Sequence, residues 1–197
     1  MKEAYRDIME RLIQSLDAPA REWIKPWEDA PASYPDVIRE TPRIDAILDR
    51  YYKAEGIKYF ENEGGNSFYA PEVDAIFLPA KKQFRSMEAY SAVKAHESIH
   101  SAGDYTRCNR PTFSEFTSFR FGDSKYSREE LVAELGACFL LDALEIDTTD
   151  AERNAGAYIR NWLTQLNNNT KWIYKAGELA EEAVEYILES AGEEAGK

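Results

Sequence analysis

The sequence predicts an α+β fold that is mostly helical, with a small β-sheet toward the N-terminal side of the chain. Apolar residues recur at helical spacing over several long segments, which predicts amphipathic helices. Short apolar and aromatic runs separated by turn residues, between positions 57 and 78, predict strands. We expect residues 1–40 to form an N-terminal helix and a Pro- and Trp-rich connector, and residues 41–197 to form the main domain.

The N-terminal part of the chain predicts two helices with a connector between them. Apolar residues repeat every three or four positions from Ala4 to Leu16, and Pro19 ends this first helix. The segment 23–42 contains four prolines and three large aromatic residues, so we expect an ordered connector without regular structure. A second helix is predicted from Ile44 to Gly56.

The middle of the chain predicts three strands followed by a long helix. The strands are expected at 57–60, 67–70 and 75–78, and the last two are joined by a four-residue, hairpin-like turn. The long helix is predicted to run from Ser86, a typical N-cap residue, to Gly103, a typical C-cap residue.

The C-terminal part of the chain is predicted to be helical. Residues 104–126 show no sustained periodicity, and a strongly apolar helix is then predicted from Ser127 to about Leu144. A final helical region is predicted from Ala155 to Leu188, with a break near 167–169.

Charge and cysteine content restrict the class of protein. The chain has 36 acidic and 24 basic residues, a formal charge of −12, so direct nucleic-acid binding is doubtful. The two cysteines, Cys108 and Cys138, show no C-x-x-C spacing, which is typical of a reducing compartment. No signal-peptide pattern and no long apolar run are visible, so we expect a cytoplasmic protein without membrane spans.

The motif His96-Glu97-Ser98-Ile99-His100 lies inside the long predicted helix. Residues four apart share a helix face, so His96 and His100 can direct their imidazole nitrogens to one metal ion. Glu97 can then take a proton from a metal-bound water and deliver it to a leaving amine. These are the only two histidines in the chain, and chance would produce this pattern in about one chain in a thousand. The motif therefore predicts a Zn²⁺ site.

A catalytic zinc site needs a third protein ligand, and without a third histidine this should be a carboxylate. Glu130 and Glu134 share one face of the apolar helix with small residues, and either could serve, with Glu130 slightly favoured. Each has another interpretation: Glu130 could complete a capping box with Ser127, and Glu134 could hold a histidine ring. Asp104, just past the predicted end of the metal helix, is a weaker candidate.

Several ordered sequence blocks carry a family resemblance. The blocks are Asn66-Ser67-Phe68-Tyr69-Ala70-Pro71, Ile76-Phe77-Leu78-Pro79, Ala95 to His100, Arg107-Cys108-Asn109-Arg110, Phe121-Gly122, Glu129 to Leu140, and Ala157-Tyr158-Ile159 with Trp162-Leu163. In order and spacing they resemble the C-terminal metallopeptidase-like domain of the ArdC antirestriction proteins of plasmids and phages, over about residues 44–188. The resemblance implies a zincin-like metallopeptidase fold, a bound zinc, and a role in helping incoming mobile DNA survive host restriction.

The chain departs from this family in two respects. ArdC-type proteins usually carry a larger N-terminal domain that binds single-stranded DNA, whereas about 40 residues precede the matching region here. We therefore expect a version without most of the DNA-binding part. Asn154 stands where many relatives are expected to have a histidine. This difference lies outside the motif at 96–100 and leaves it intact.

Four further residues have an ordinary structural interpretation beside a functional one, and Cys138 has a structural interpretation alone. Tyr158 and Arg160 could stabilise an oxyanion, but helix packing and surface charge are the commoner roles. Arg107 and Arg110 could grip a substrate carboxylate, but solvated loop arginines are more common. Cys138 lies among apolar residues and is predicted to be a buried small hydrophobic residue.

The motif and the resemblance together predict a zinc-dependent metallopeptidase that acts on a peptide or protein substrate, with Glu97 as the general base. One alternative is a catalytically inactive antirestriction or DNA-mimic binding module that retains the metal site. Its partners would be host restriction or DNA-processing proteins. Another is a folded domain without metal and with exposed histidines.

Overall fold

A computed structural model describes residues 1–16, 25–28, 42–62, 65–116, 124–165 and 171–193. Within these ranges helices predominate, and a small sheet lies toward the N-terminal side. The elements in chain order are α1 (Glu3–Leu16), α2 (Pro42–Glu55), β1 (Lys58–Asn62), β2 (Phe68–Ala70), β3 (Ala75–Pro79), a 3₁₀ turn (Lys81–Gln83), α3 (Met87–Ala102), α4 (Pro111–Phe116), α5 (Ser124–Ala143), α6 (Thr149–Gln165) and α7 (Lys171–Ser190). The predicted α+β class is confirmed.

Most predicted elements are present, with shifted ends. The short helix α4 was not predicted, because six residues are too few to show a periodicity. Helix α5 begins at Ser124 rather than Ser127, and α6 begins at Thr149 rather than Ala155. The predicted break at 167–169 and most of the predicted connector lie outside the described residues.

The three strands form one sheet in the order β1-β3-β2. Strand β3 pairs with β1 in parallel and with β2 in an antiparallel hairpin, as predicted for the last two strands. Asp74 has a φ of 47°, which turns the chain between β2 and β3. Ile76 and Leu78 of β3 are fully buried against the helices, so this central strand anchors the sheet to the core.

Helix α5 lies at the centre of the fold and packs against α1, α3, α4, α6 and α7. Its segment 131–141 is apolar on nearly all sides, as expected for a helix surrounded by others. Helix α1 joins the same core, where the ring of Tyr5 stacks on Phe139 of α5 at a centroid distance of 4.5 Å. The boundary predicted near residue 41 stays a prediction, and the hydrophobic core continues across it.

No helix within the described ranges combines the length and the apolar character that a bilayer span requires.

Candidate metal centre

Helix α3 carries the histidine motif and has the caps that the sequence predicts. The Ser86 hydroxyl accepts a hydrogen bond from the Ala89 amide at 3.0 Å and caps the first turn. Gly103 is the C-cap but has a helical φ of −72°, so a left-handed conformation is not the reason for glycine. A Cβ at this position would lie 2.7 Å from Arg110 Nη2 and 2.8 Å from Phe113 Cβ. Glycine is therefore required by the close approach of the loop that follows.

Helix α5 approaches α3 closely through a second glycine. A Cβ on Gly136 would lie 2.8 Å from Cδ1 of Ile99, which sits between Ser98 and His100 in the motif. Gly136 thus allows close contact between the two helices. The carboxylates of α5 are thereby brought next to the histidines.

His96, His100 and Glu130 form a cluster in which each side chain offers one ligand atom within 4.8 Å of the others. The Nε2 atoms of the two histidines are 3.1 Å apart. Glu130 Oε1 lies 3.5 Å from His100 Nε2, and its Oε2 lies 3.8 Å from His96 Nε2. Tetrahedral ligands at zinc-bond distances are separated by about 3.3 Å, so the donors fit one ion with a small adjustment of the carboxylate.

Glu134 lies beside the cluster on another side of the histidine pair. Its Oε1 is 3.6 Å from Nδ1 of His96, whereas Glu130 faces the Nε2 atoms. The Nε2 atom of His96 is the one that lies next to Nε2 of His100, and Glu130 faces both atoms. The geometry therefore favours Glu130 as the third ligand. Glu134 lies near the His96 ring but beyond hydrogen-bond distance, and its other predicted role, holding that ring, stays a prediction.

Glu129 is a buried partner of His100 that the sequence analysis did not identify. Its Oε1 lies 3.2 Å from His100 Nδ1, and its Oε2 accepts a hydrogen bond from Thr112 Oγ1 at 2.6 Å. Both carboxylate oxygens also accept hydrogen bonds from Arg110. The sequence of α5 contains one signal that Glu129 is buried. On a helix that is apolar on nearly all sides, a charged residue is expected to be buried and paired.

Three interpretations of the surrounding residues were wrong. Arg107 is not a solvated loop residue, since its side chain is 1% exposed and pairs with Asp74. Arg110 is not a solvated loop residue and does not face a substrate, since it is 2% exposed and bonded to Glu129. Glu130 does not complete a capping box with Ser127, because α5 begins one turn earlier.

The remaining candidates serve local structure. Asp104 accepts hydrogen bonds from the backbone and hydroxyl of Thr106, as expected for a loop residue. Arg107 binds Asp74 of the β2–β3 turn at 2.6 Å and the Ser101 carbonyl at 3.0 Å. Arg160 donates hydrogen bonds to the carbonyl groups of residues 15 and 16 at the end of α1.

Glu97 is a buried carboxyl with an altered pKa. Burial raises its pKa from 4.5 to about 7, and the charge of Glu130 acts in the same direction. The charge of His100 and hydrogen bonds from the Ser67 side chain and the Tyr69 backbone act in the opposite direction. A carboxyl with a pKa near neutrality can both accept and release a proton.

The two histidines have opposite pKa shifts. Burial lowers the pKa of His96 to about 4, and the neighbouring His100 adds to this effect. Burial also acts to lower the pKa of His100. The interactions of His100 with Glu129 and Glu130 outweigh burial and raise this pKa to about 10. The carboxylates of Glu129 and Glu130 thus favour a positive charge at His100. A bound metal cation would replace the proton that otherwise carries this charge.

The cluster opens into a cavity of about 290 Å³. Tyr158, predicted to be a packing residue, lines this cavity, and burial and the charges of Glu134, Glu130 and Glu97 raise its pKa. The lining residues are Lys25, Pro26, Trp27, Ser67, Arg85, Ser86, Ala89, Ala92, Val93, His96, Glu97, Glu130, Glu134, Ala137, Cys138, Ala151, Arg153, Asn154 and Tyr158. Cys138 is buried, as predicted, and burial raises the pKa of its thiol.

A long helix with two histidines four residues apart, facing a glutamate on a second helix, defines the class as a zincin-like protein. The family model of zincin-like metallopeptidases matches residues 46–179, more than half of the chain. The chain therefore belongs to the zincin-like metallopeptidase family.

Two solved structures show the same fold. The antirestriction protein ArdC of plasmid R388 in its Mn(II)-bound form is 28% identical, with a TM-score of 0.59 over 83% of this chain and 55% of that chain. Its metal-free form, also 28% identical, has a TM-score of 0.57 over 84% and 54%. The predicted resemblance to ArdC-type proteins is confirmed.

Curated relatives are longer than this chain. Two proteins named DNA primase TraC from Escherichia coli are 31% and 32% identical over 136 and 135 residues. These matches cover 69% and 68% of this chain but 9% and 12% of the primases. The uncharacterized protein y4eC of Sinorhizobium fredii is 28% identical over 151 residues, which cover 77% of this chain and 47% of that protein. The chain thus spans less than half the length of these relatives.

Proposed function

We propose that this protein is a zinc-dependent metallopeptidase of the ArdC-like type that cleaves a peptide or protein substrate. The observation that carries the proposal is the convergence of the His96 and His100 Nε2 atoms, 3.1 Å apart, on the Glu130 carboxylate, beside a cavity that His96, Glu97 and Glu130 line. The proposed general base, the metal-ligand donors and a cavity for the substrate therefore lie next to one another.

His96, His100 and Glu130 would hold the ion, which when bound supplies a Lewis acid that polarises a substrate carbonyl and acidifies water. Glu129 holds His100 through Nδ1, which leaves its Nε2 directed at the cluster. We propose that Glu134, 3.6 Å from His96 Nδ1, does the same for His96.

Glu97 would act as the general base and then as the general acid. Its carboxylate takes a proton from the attacking water and delivers it to the nitrogen of the departing amine. A carboxyl within reach of the water and of the departing amine can serve in both steps, first as acceptor and then as donor of the same proton.

Zinc is the metal that we propose, on the chemistry of the donors. Two imidazoles and one carboxylate are a common catalytic zinc set, and nitrogen donors bind zinc more tightly than manganese. The ArdC structure described as Mn(II)-bound makes manganese the main competitor.

Elemental analysis of the purified protein tests the metal site. We expect about one zinc per chain, and its loss in His96→Ala and Glu130→Ala. Glu134→Ala should retain most of the metal. A protein without metal, or a Glu134→Ala variant that loses it while Glu130→Ala keeps it, would overturn this ligand assignment.

Glu97→Gln tests turnover separately from the metal. The variant should keep its zinc and lose hydrolysis of a denatured protein such as casein, because an amide cannot accept the proton. Cleavage at the wild-type rate would exclude Glu97 as the base.

A second candidate function is an inactive antirestriction module, favoured by the likeness to the antirestriction protein ArdC and by the charge of −12. An acidic surface of this kind can mimic DNA for a restriction or DNA-processing protein. Binding of a purified restriction enzyme that is unchanged in Glu97→Gln, together with no cleavage of any protein, would favour this candidate.

A further inference from the structure

Strand β1 is the edge of the sheet on the side away from the metal centre. In the order β1-β3-β2 it pairs with β3 alone among the residues that the structure describes. Strand β2, at the other edge, adjoins the metal centre, because Ser67 and Tyr69 hydrogen-bond to Glu97. Every residue of β1 is exposed or half-buried. An edge strand of this kind offers unpaired backbone groups to another strand.

The backbone of β1 presents alternate residues to this open edge. The Lys58 amide and the Asn62 carbonyl form hydrogen bonds on the β3 side, at 3.0 Å and 3.2 Å. Because the direction of these groups alternates along a strand, Phe60 also faces β3, whereas Tyr59 and Glu61 face outward. The amides and carbonyls of Tyr59 and Glu61 are therefore the groups that a further strand would meet.

The outer face of the sheet carries a row of phenylalanine rings that ends at the same edge. Phe68, Phe77 and Phe60 lie side by side in the register of the three strands. The ring of Phe77 stacks on Phe60 and on Phe68, with centroid distances of 5.1 Å and 4.8 Å. Phe60 is 47% exposed although it is the central residue of β1. Edges that stay free tend to carry charge or proline, so an exposed aromatic residue at this position favours pairing.

A second copy of the chain fits this edge through a two-fold axis at Phe60. In an antiparallel pairing of the two β1 strands, Tyr59 of each copy stands opposite Glu61 of the other, and each such pair exchanges two backbone hydrogen bonds. The two Phe60 residues then form a non-hydrogen-bonded pair, the type in which side chains approach most closely. The row of rings thereby continues from one copy into the next.

The same register avoids repulsion between like charges, although the chain has a formal charge of −12. Lys58 stands opposite Asn62, and Glu61 stands opposite Tyr59, so no two charges of one sign face each other. An axis at Glu61 would set the two Glu61 carboxylates against each other, and an axis at Tyr59 would pair only residues 58–60. The axis at Phe60 is therefore the favoured one.

We propose that two copies of this protein form a symmetric dimer in which their β1 strands pair antiparallel, centred on Phe60, and join the two small sheets into one. Strand β2 and the metal centre take no part, so the inference goes beyond the proposed peptidase function and does not rest on it. A single pair of short strands buries less area than a standard interface, so we expect a dissociation constant of about 10–100 µM.

Sedimentation velocity of the full-length protein, over about a hundred-fold range of concentration around this value, measures the dimer. Phe60→Lys is the test variant, because it places two like charges at the axis. Phe68→Lys is the matched control, since Phe68 is similarly exposed, at 44%, and belongs to the same row of rings but lies on the opposite edge strand. Thermal unfolding of both variants shows whether the fold is kept.

Cysteine substitutions test the register. Opposed residues of a non-hydrogen-bonded pair have Cα atoms about 4.5 Å apart, which lies within the range of a disulfide. Phe60→Cys should therefore cross-link to itself under mild oxidation. Lys58→Cys and Asn62→Cys should cross-link when the two variants are mixed but not when either is alone. The parent protein, with its free Cys108 and Cys138, is the control and should stay uncross-linked.

We expect the sedimentation coefficient of the parent protein to rise with concentration and that of Phe68→Lys to follow it. Phe60→Lys should weaken the dimer at least about ten-fold. A parent protein that is monomeric at every concentration would overturn the proposal. So would equal losses in both lysine variants, which would indicate contact between the faces of the sheets, or cross-linking of Lys58→Cys alone, which would indicate another register.

Discussion

Arg110 and Glu129 form a two-point ion pair in the interior of the protein, next to His100. Arg110 Nε donates to Glu129 Oε2 at 3.0 Å, Nη2 donates to Oε1 at 2.5 Å, and the two side chains are 1% and 0% exposed. Arg110 also donates to the Ile99 carbonyl at 2.8 Å, so it connects the loop after α3 to both helices of the site. The guanidinium holds the pKa of Glu129 at about 2, against the effect of burial.

Arg110→Ala should destabilise the fold strongly. The substitution leaves the Glu129 carboxylate buried without its main partner, which typically lowers the free energy of unfolding by about 3–5 kcal/mol. Urea unfolding with a chelator present measures this effect without a contribution from metal. Arg43→Ala, which breaks an exposed pair with Glu145, is the control and should cost less than about 1 kcal/mol. Equal losses in both variants would contradict the role given to the buried pair.

Glu129→Gln should weaken metal binding without removing a ligand. The amide has nearly the same shape, but it cannot hold the His100 ring as a charged acceptor does, so we expect metal affinity to fall about 10- to 100-fold. Competition with a zinc-binding dye measures the affinity. Glu130→Gln should lose more than Glu129→Gln, and the reverse order would show that the two roles have been exchanged.

Gly136→Ala should destabilise the protein although alanine favours helices. The new methyl group would lie 2.8 Å from the Ile99 side chain, and such overpacking costs about 1–3 kcal/mol, more than the gain of about 1 kcal/mol in helix propensity. Thermal or urea unfolding measures the change. Combining Gly136→Ala with Ile99→Ala should give a smaller loss than the sum of the single losses, because the shortened side chain makes room. Additive losses would argue against contact at this position.

Cys108 should react slowly with iodoacetamide in the folded protein. Burial, assisted by the charge of Glu182, raises the pKa of its thiol from 9.0 to about 11, although Arg110 acts in the opposite direction. Because the thiolate is the reactive form, its fraction at pH 8 is about a hundred-fold smaller than for a thiol with a pKa of 9. The rate should rise about ten-fold for each pH unit until pH approaches 11. Mass spectrometry follows the labelling, Cys108→Ser identifies the site, and equal rates in folded and urea-unfolded protein would contradict the prediction.

The parts of the fold that the sequence predicted correctly depend on local signals. Ser86 as an N-cap, the four-residue turn of the β2–β3 hairpin, and the periodicity of α1 are determined by neighbours within one or two turns of the chain. The spacing of His96 and His100 is of the same kind, since a helix places them on one face whatever surrounds it.

The parts that the sequence did not predict depend on contacts between distant segments. Nothing near Arg110 in the chain indicates that it is buried against Glu129, nineteen residues away. Tyr158 has the spacing of a packing residue, and only the position of α6 beside α3 and α5 brings it to the cavity. Choosing between Glu130 and Glu134 likewise requires knowledge of how α5 is oriented about its own axis. The spacing of the residues in α5 does not define this orientation.

The cluster of His96, His100 and Glu130 draws its donors from two helices whose nearest members are thirty residues apart in the chain. In an unfolded polypeptide these groups are not held together, so a metal ion would bind almost exclusively to the native state. Mass action then couples occupancy to folding: zinc at a thousand times its dissociation constant would add about 4 kcal/mol to the free energy of unfolding. The melting temperature of this protein should accordingly depend on the free metal concentration of its surroundings.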